Sequence, residues 1–127
     1  MKTIVTKHPE WKPSDVAFIK SLNWSQGNVT IVFYCQPKKG TGGWPDRSDN
    51  FFEISMTFKF ISGLKLNFAS CNLQQISGFN IVDVSMNGLE RINFEIEDFE
   101  HGIIEFVCES IEVNSVSDLF KINFNEL

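Results

Sequence analysis

The side chains best suited to chemistry fall in one stretch, "FEIEDFEHGIIEFVCESIE", Phe94 to Glu112. It holds seven carboxylates (Glu95, Glu97, Asp98, Glu100, Glu105, Glu109 and Glu112) and no lysine or arginine. Asp83 and Glu90 stand just upstream. Three chemistries could use such a cluster. A pair of carboxyls with separated acidities could cleave a glycosidic bond. Several oxygens could hold a hard cation. A field of negative charge could steer a basic partner. The spacing discriminates among them. Glu95 and Glu97 alternate with Phe94 and Ile96, and Glu105 sits between Ile104 and Phe106. In a β-strand that alternation sends the carboxylates to one face and the apolar side chains to the other. Carboxylates on a solvated face keep ordinary acidity, whereas a general acid needs burial or a like-charged neighbour. The pattern therefore favours a surface for a basic partner, with Glu95, Glu97, Asp98, Glu100 and Glu105 as its steering residues. A plain solvated face that only keeps the chain soluble is the alternative.

Other candidate chemistry is thinner. "DRSDN", Asp46–Asn50, offers oxygen ligands without the alternation about a glycine and the closing Glu of a calcium loop. Cys35, Cys71 and Cys108 are widely spaced, His8 and His101 are far apart, and neither CxxC nor HxxxH occurs, so no zinc site is expected. Cys108 ends an apolar strand and reads as a small core residue. No GxSxG is present. His101, beside Gly102, reads as an exposed turn residue. "KKGTGG" lacks phosphate-loop spacing and no helix follows it. No catalytic residue, metal or cofactor is predicted, and the chain reads as a non-enzyme. Trp44, before Pro45 in a polar loop, could anchor an interface as an exposed ring. Its alternative is to fold back over the end of a sheet.

The elements that must position these residues are strands. "FFEISMTFKF" places Phe52, Ile54, Met56, Phe58 and Phe60 on one face and Glu53, Ser55, Thr57 and Lys59 on the other. "LKLNF" continues through Leu64, Leu66 and Phe68, and "ISG" between the two runs reads as a hairpin turn with Gly63 absorbing the bend. "FNIVDV" is a strand followed by an Asn87-Gly88 turn. "RINFEIED" turns Ile92, Phe94 and Ile96 inward, and "GIIEFVCE" does the same for Ile104, Phe106 and Cys108. "IEV" and "LFKINF", with Phe120, Ile122 and Phe124, complete the set. Val16–Trp24 and Val29–Cys35 read as a hairpin, with a short helix over 13–22 as the alternative. Residues Gln36–Asn50 form a long loop, which at that length is often functional or mobile. "SCNLQQISG" is a shorter connection with room for a helical turn. Eight or nine short antiparallel strands predict an all-β sandwich or partly open barrel.

The bulk properties agree with one soluble domain of 127 residues, 43% hydrophobic and 21% charged. A chain of this length buries roughly two-thirds of its unfolded surface. Thirteen Phe against one Tyr predict a core filled with unfunctionalised rings. The net charge of −5 hides a gradient. Residues 1–81 carry nine Lys/Arg against five Asp/Glu (+4), and residues 82–127 carry two against eleven (−9). Nucleic acid needs a basic footprint, so it is excluded as a partner. No apolar run approaches the ~18 residues of a membrane span. "MKTIVTKHPEWKPSD" has no apolar secretory segment, and the odd cysteine count fits reduced thiols, so a cytoplasmic location is expected.

Across 81–113, "IVDVSMNGLERINFEIEDFEHGIIEFVCESIEV", the chain resembles bacterial immunity proteins of the polymorphic-toxin systems, and within them the immunity protein 50 family. The "DVSMNGLERI" turn, the strand "INFEIEDFE" and the return "IIEFVCESIEV" carry the resemblance, with the upstream hairpin and the "WP" loop. The resemblance implies a cytoplasmic protein that binds and occludes one cognate toxin, often a nuclease with a basic site. A small-ligand or carbohydrate-binding β module, using Trp11, Trp24 and Trp44, is the second expectation. An exposed strand edge could also pair two copies.

Overall fold

The computed structural model describes residues 2–3, 11–38, 42–69 and 72–126. His8, Cys71 and part of the "KKGTGG" segment lie outside the described residues. The strands are β1 (Lys2–Thr3), β2 (Val16–Ser25), β3 (Asn28–Cys35), β4 (Phe52–Lys59), β5 (Ser62–Leu66), β6 (Gln74–Gln75), β7 (Phe79–Asp83), β8 (Phe94–Asp98), β9 (Ile104–Cys108) and β10 (Ser110–Val116). They form two antiparallel sheets. The long-stranded sheet runs β10-β4-β3-β2-β6 and the acidic sheet runs β1-β7-β8-β9-β5. The fold is an all-β sandwich rather than a closed barrel.

Period-two patterning sets the sandwich. In β3 and β4 every second side chain is buried: Val29, Ile31, Phe33 and Cys35, then Phe52, Ile54, Met56 and Phe58. The acidic sheet answers with Phe79, Ile81, Ile96, Ile104, Phe106 and Cys108. Ring pairs bridge the sheets, Phe33 to Phe79 at 4.9 Å and Phe58 to Phe106 at 5.1 Å between centroids. Such tilted and edge-on contacts add about 0.5–1.5 kcal/mol beyond area burial.

A second, smaller core lies on the far face of the long-stranded sheet. Ala17, Phe18 and Phe51 form it, with Tyr34, Trp44, Leu73, Ile122 and Phe124 packed around them. This explains why Val16–Ile19 is buried on both faces. Bulges between Val16 and Phe18 and between Ile19 and Ser21 divide these residues between the two cores. The chain end is tied down by paired backbone bonds between Phe51 and Phe120, at 2.7 and 2.8 Å. Arg47 lays its guanidinium over the Phe124 ring at 4.8 Å and the Phe18 ring at 5.7 Å.

Several expectations are corrected. The "ISG" segment is not a hairpin turn: β4 belongs to the long-stranded sheet and β5 to the acidic one, so the chain crosses between sheets there. Phe60 takes φ +55, which breaks the alternation and leaves the ring exposed. Leu66, at the end of the edge strand β5, and Phe68, beyond that strand, are exposed as well. "LFKINF" contributes a single bridge at Phe120 and then a 3-10 turn at Phe124–Glu126, not a strand. Among the described residues ahead of β2 only one 3-10 turn, Pro13–Asp15, is helical, so the hairpin reading of Val16–Trp24 with Val29–Cys35 holds over the helix.

This packing predicts an asymmetry among the phenylalanines. Phe106→Ala should lower unfolding free energy by about 3–5 kcal/mol, as for large-to-small changes in a filled core. Phe60→Ala, at an exposed ring, should cost less than about 1 kcal/mol. Urea unfolding of both variants checks the contrast, and equal losses would refute the core assignment.

Candidate protein-binding face

Strands β8 and β9 are neighbours, and their register decides which carboxylates meet. Glu95 pairs with Val107, and Glu97 pairs directly with Glu105. On the other flank Val82 pairs with Glu95 and Asn80 with Glu97. Glu95, Glu97 and Glu105 therefore share the outer face of the acidic sheet, opposite buried Ile96, Ile104 and Phe106. Lys65 of β5 stands beside Glu105 in register. None of the three glutamates forms an ion pair with a lysine or arginine among the described residues.

Like charges directly opposite across a strand pair destabilise a sheet. Glu97 lies in this cluster, and its carboxyl pKa is pushed above the ordinary value. Partial burial is the main cause, followed by the charges of Glu95 and then Glu105. This corrects the expectation of ordinary acidity for Glu97. The raised carboxyl lies on an open sheet face rather than in a cleft, so it does not make a general acid by itself.

The remaining predicted steering residues fall elsewhere. Asp98 is 4% exposed and points inward with Phe94 and Ile96. Its carboxylate accepts the backbone N–H of Glu100 (3.2 Å) and of Ile103 (3.1 Å), and its carbonyl accepts that of Gly102 (3.0 Å). Asp98 thus organises the β8–β9 turn and lies buried, off the outer face that carries Glu95, Glu97 and Glu105. Alternation already placed it on the inner face, and an Asp ahead of a tight turn is the signal that was available. Gly78 packs against it so closely that an added Cβ would lie 2.7 Å from the Asp98 Oδ1. Glu100 is exposed beyond the end of β8 and accepts the Ser77 hydroxyl at 2.6 Å.

Trp44 takes the folded-back arrangement. Its ring is half-buried in the second core, its Nε1 donates to the Gln36 carbonyl at 2.8 Å, and Lys38 Nζ sits 4.5 Å above it. Gln36, buried, also clamps the loop through Asp46 and Asn50. The three tryptophans occupy three environments: Trp11 in the main core, donating to Cys35 Sγ at 3.2 Å, Trp44 in the second core, and Trp24 exposed on β2. They do not form a shared aromatic platform.

Burial raises the Cys35 thiol strongly and pushes the Cys108 thiol up to about 12, which keeps both protonated and unreactive. Among the described residues no three His, Cys, Asp or Glu side chains gather as a metal-holding group. No helix among them is long and apolar enough to cross a membrane. His101 is exposed in the β8–β9 turn. No family model, no curated protein and no solved structure matches this chain.

The clustered glutamates predict a stability gain on neutralisation. A carboxyl raised in the folded state binds its proton more tightly there than in the unfolded chain. Its ionised form therefore opposes folding above the folded pKa, and the opposition disappears below the ordinary value of 4.5. Glu97→Gln should raise the melting temperature at pH 7, by a few tenths of a kcal/mol in stability. The gain should vanish near pH 4. A gain that is equal at both pH values, or a loss at pH 7, would show that the ionised Glu97 carboxylate does not oppose folding.

Proposed function

We propose that this chain is a non-catalytic cytoplasmic binding protein that neutralises a cognate bacterial toxin by occluding it, with the outer face of the acidic sheet turned toward a basic surface. The observation that carries this reading is the placement of Glu95, Glu97 and Glu105. Three carboxylates crowd one open face without an ion pair among the described residues, although residues 1–81 carry a net positive charge. A charge arrangement that costs stability is accounted for if a cationic partner relieves it on binding. The resemblance of residues 81–113 to immunity proteins supplies the class of partner, a protein toxin with nucleases among the candidates.

Action would be steric and electrostatic. The acidic face raises the rate of encounter with a basic site, and the bound chain then excludes that site's substrate. None of this requires a reacting group on the chain itself.

The test is the toxin domain encoded beside the gene, purified and titrated with this protein at two salt concentrations. Tight binding that weakens with salt is expected. The double reversal Glu95→Lys and Glu97→Lys should slow association by about 10-fold or more at low salt and flatten the salt dependence. Unchanged association kinetics in that variant would remove the face from the interface.

A further inference from the structure

The acidic face supplies charge but no anchor, since its residues between the glutamates are Asn80, Val82 and Val107. An anchor stands at one end of the sandwich. The β2–β3 turn, the β4–β5 crossing, the β7–β8 connection and the β9–β10 junction converge there. Ile61 N–H donates to the Gly27 carbonyl at 2.8 Å, and Phe60 N–H donates to Asn28 Oδ1 at 3.2 Å. Glu109 N–H donates to the Lys59 carbonyl at 2.9 Å. Arg91 sits over the Phe60 ring at 4.5 Å and pairs with Glu109 at 3.6 Å.

This pole exposes large apolar side chains from three separate connections: Trp24 at 61%, Phe60 at 53%, Met86 at 95% and Leu89 at 53%. Trp, Phe, Met and Arg are the residue types enriched at the centres of protein interfaces. The pole is also where the backbone is strained. Gln26, Phe60 and Arg91 have φ of 51, 55 and 57, and they are the non-glycine residues with positive φ among those described. Phe60 is the sharpest case, because a bulky residue seldom adopts this conformation. With φ in the β region the ring would follow Phe58 into the core; at +55 it faces solvent beneath Arg91. Strain of this kind persists where the surrounding structure holds it, and it concentrates at binding sites.

Charge decides the occupant. Lys59 and Arg91 at this end are each already paired with a glutamate, Glu112 and Glu109, Asp83 stands opposite Lys2 in register, and Glu95 continues the end into the acidic face. A second copy of this net-acidic chain would bring like charge against like. We infer that the pole formed by Trp24, Phe60, Met86 and Leu89 is the apolar anchor of the same interface, receiving an apolar protrusion flanked by lysines or arginines on a basic protein partner. The inference rests on the binding reading above and adds the surface that would hold the partner once charge has steered it in.

Peptides selected from a phage-displayed random library against the intact chain provide a defined probe. Selected peptides should combine Lys or Arg with aromatic or aliphatic residues. Their binding should shift the emission of Trp24, the exposed one of the three tryptophans. The paired change Trp24→Ser with Leu89→Ser, at exposed positions that leave the circular dichroism spectrum intact, should weaken that binding by at least about 30-fold. Glu95→Gln with Glu97→Gln should instead slow association and leave dissociation nearly unchanged. Peptides that bind the pole variant as well as the wild type would overturn the anchor. So would failure to enrich any peptide over the pole variant. A wild-type dimer in sedimentation that the pole variant dissolves would assign the patch to self-association and overturn the inference too. The two readings separate cleanly. Undiminished capture of the neighbouring toxin domain by the pole variant removes the anchor and keeps the toxin reading. Basic peptides held at the pole without capture of that toxin keep the anchor and remove the toxin.

Discussion

The constraint on which the rest of the structure depends is the burial of aromatic rings between two sheets. β3 and β4 lie at the centre of the long-stranded sheet, and each gives four alternate side chains to the interior. Phe33 against Phe79 and Phe58 against Phe106 lock the acidic sheet onto them. Because the side-chain period of a strand is two, a slip of one residue would carry a whole apolar set to the solvent face. The placement of the glutamates follows from the same rule. Glu95, Glu97 and Glu105 are outside because Ile96, Ile104 and Phe106 must be inside.

Being outside does not make the glutamates energetically indifferent. The register that satisfies the core sets Glu97 directly opposite Glu105, with Glu95 on the same face. Core burial is worth about 1.5–3 kcal/mol per large side chain, whereas a like-charged cross-strand pair costs only a fraction of one to about 1 kcal/mol. Packing therefore wins, and the like charges are left facing one another, adding to the burial that pushes the Glu97 pKa upward. Elsewhere on the surface the chain does balance its charges: Lys20 meets Glu53 at 2.9 Å and Lys59 meets Glu112 at 3.0 Å. The contrast makes the glutamate face stand apart from the rest of the molecule.

Much of this was legible in the sequence, and what was missed was missed for identifiable reasons. Strict alternation in "FFEISMTFK" and "FEIED" gives strand, face and solvent exposure directly, because those properties depend only on local period. The sheet to which a strand belongs does not depend on local period. "ISG" has the length of a hairpin turn, yet the chain uses Phe60 and Ile61 to change layers, a choice made by β9 offering an edge to β5. Phe120, Ile122 and Phe124 show the right alternation for a strand. They are instead a cover for Phe18 and Phe51, since an apolar pattern specifies burial without specifying a ladder. Asp98 was assigned by its charge when its position in the alternation pointed inward. Three backbone N–H groups at a tight turn, those of Glu100, Gly102 and Ile103, matter more to its setting than the sign it shares with its neighbours.

The two outer faces of the sandwich have been put to different uses. On the long-stranded sheet, the Trp44 loop and the chain end close over Phe18 and Phe51, with Arg47 stacked across the seam. That layer commits part of the face to stability and draws Trp44, otherwise a natural interface residue, into packing. Among the described residues the acidic sheet has no such covering layer, and Asn80, Val82, Glu95, Glu97, Glu105 and Val107 are not buried. Exposed apolar side chains flank this open face at both ends, Phe60 and its neighbours at the strained pole and Leu66, Phe68 and Phe99 beyond the Glu97–Glu105 pair. The exposed aromatics at the other end, Phe68 just after β5 and Phe99 in the β8–β9 turn, lack the stacked arginine that covers Phe60. The positive-φ residues Gln26, Phe60 and Arg91 all fall at the first of these ends, so backbone strain and a stacked arginine distinguish it from the other, where the register sets Glu97 opposite Glu105.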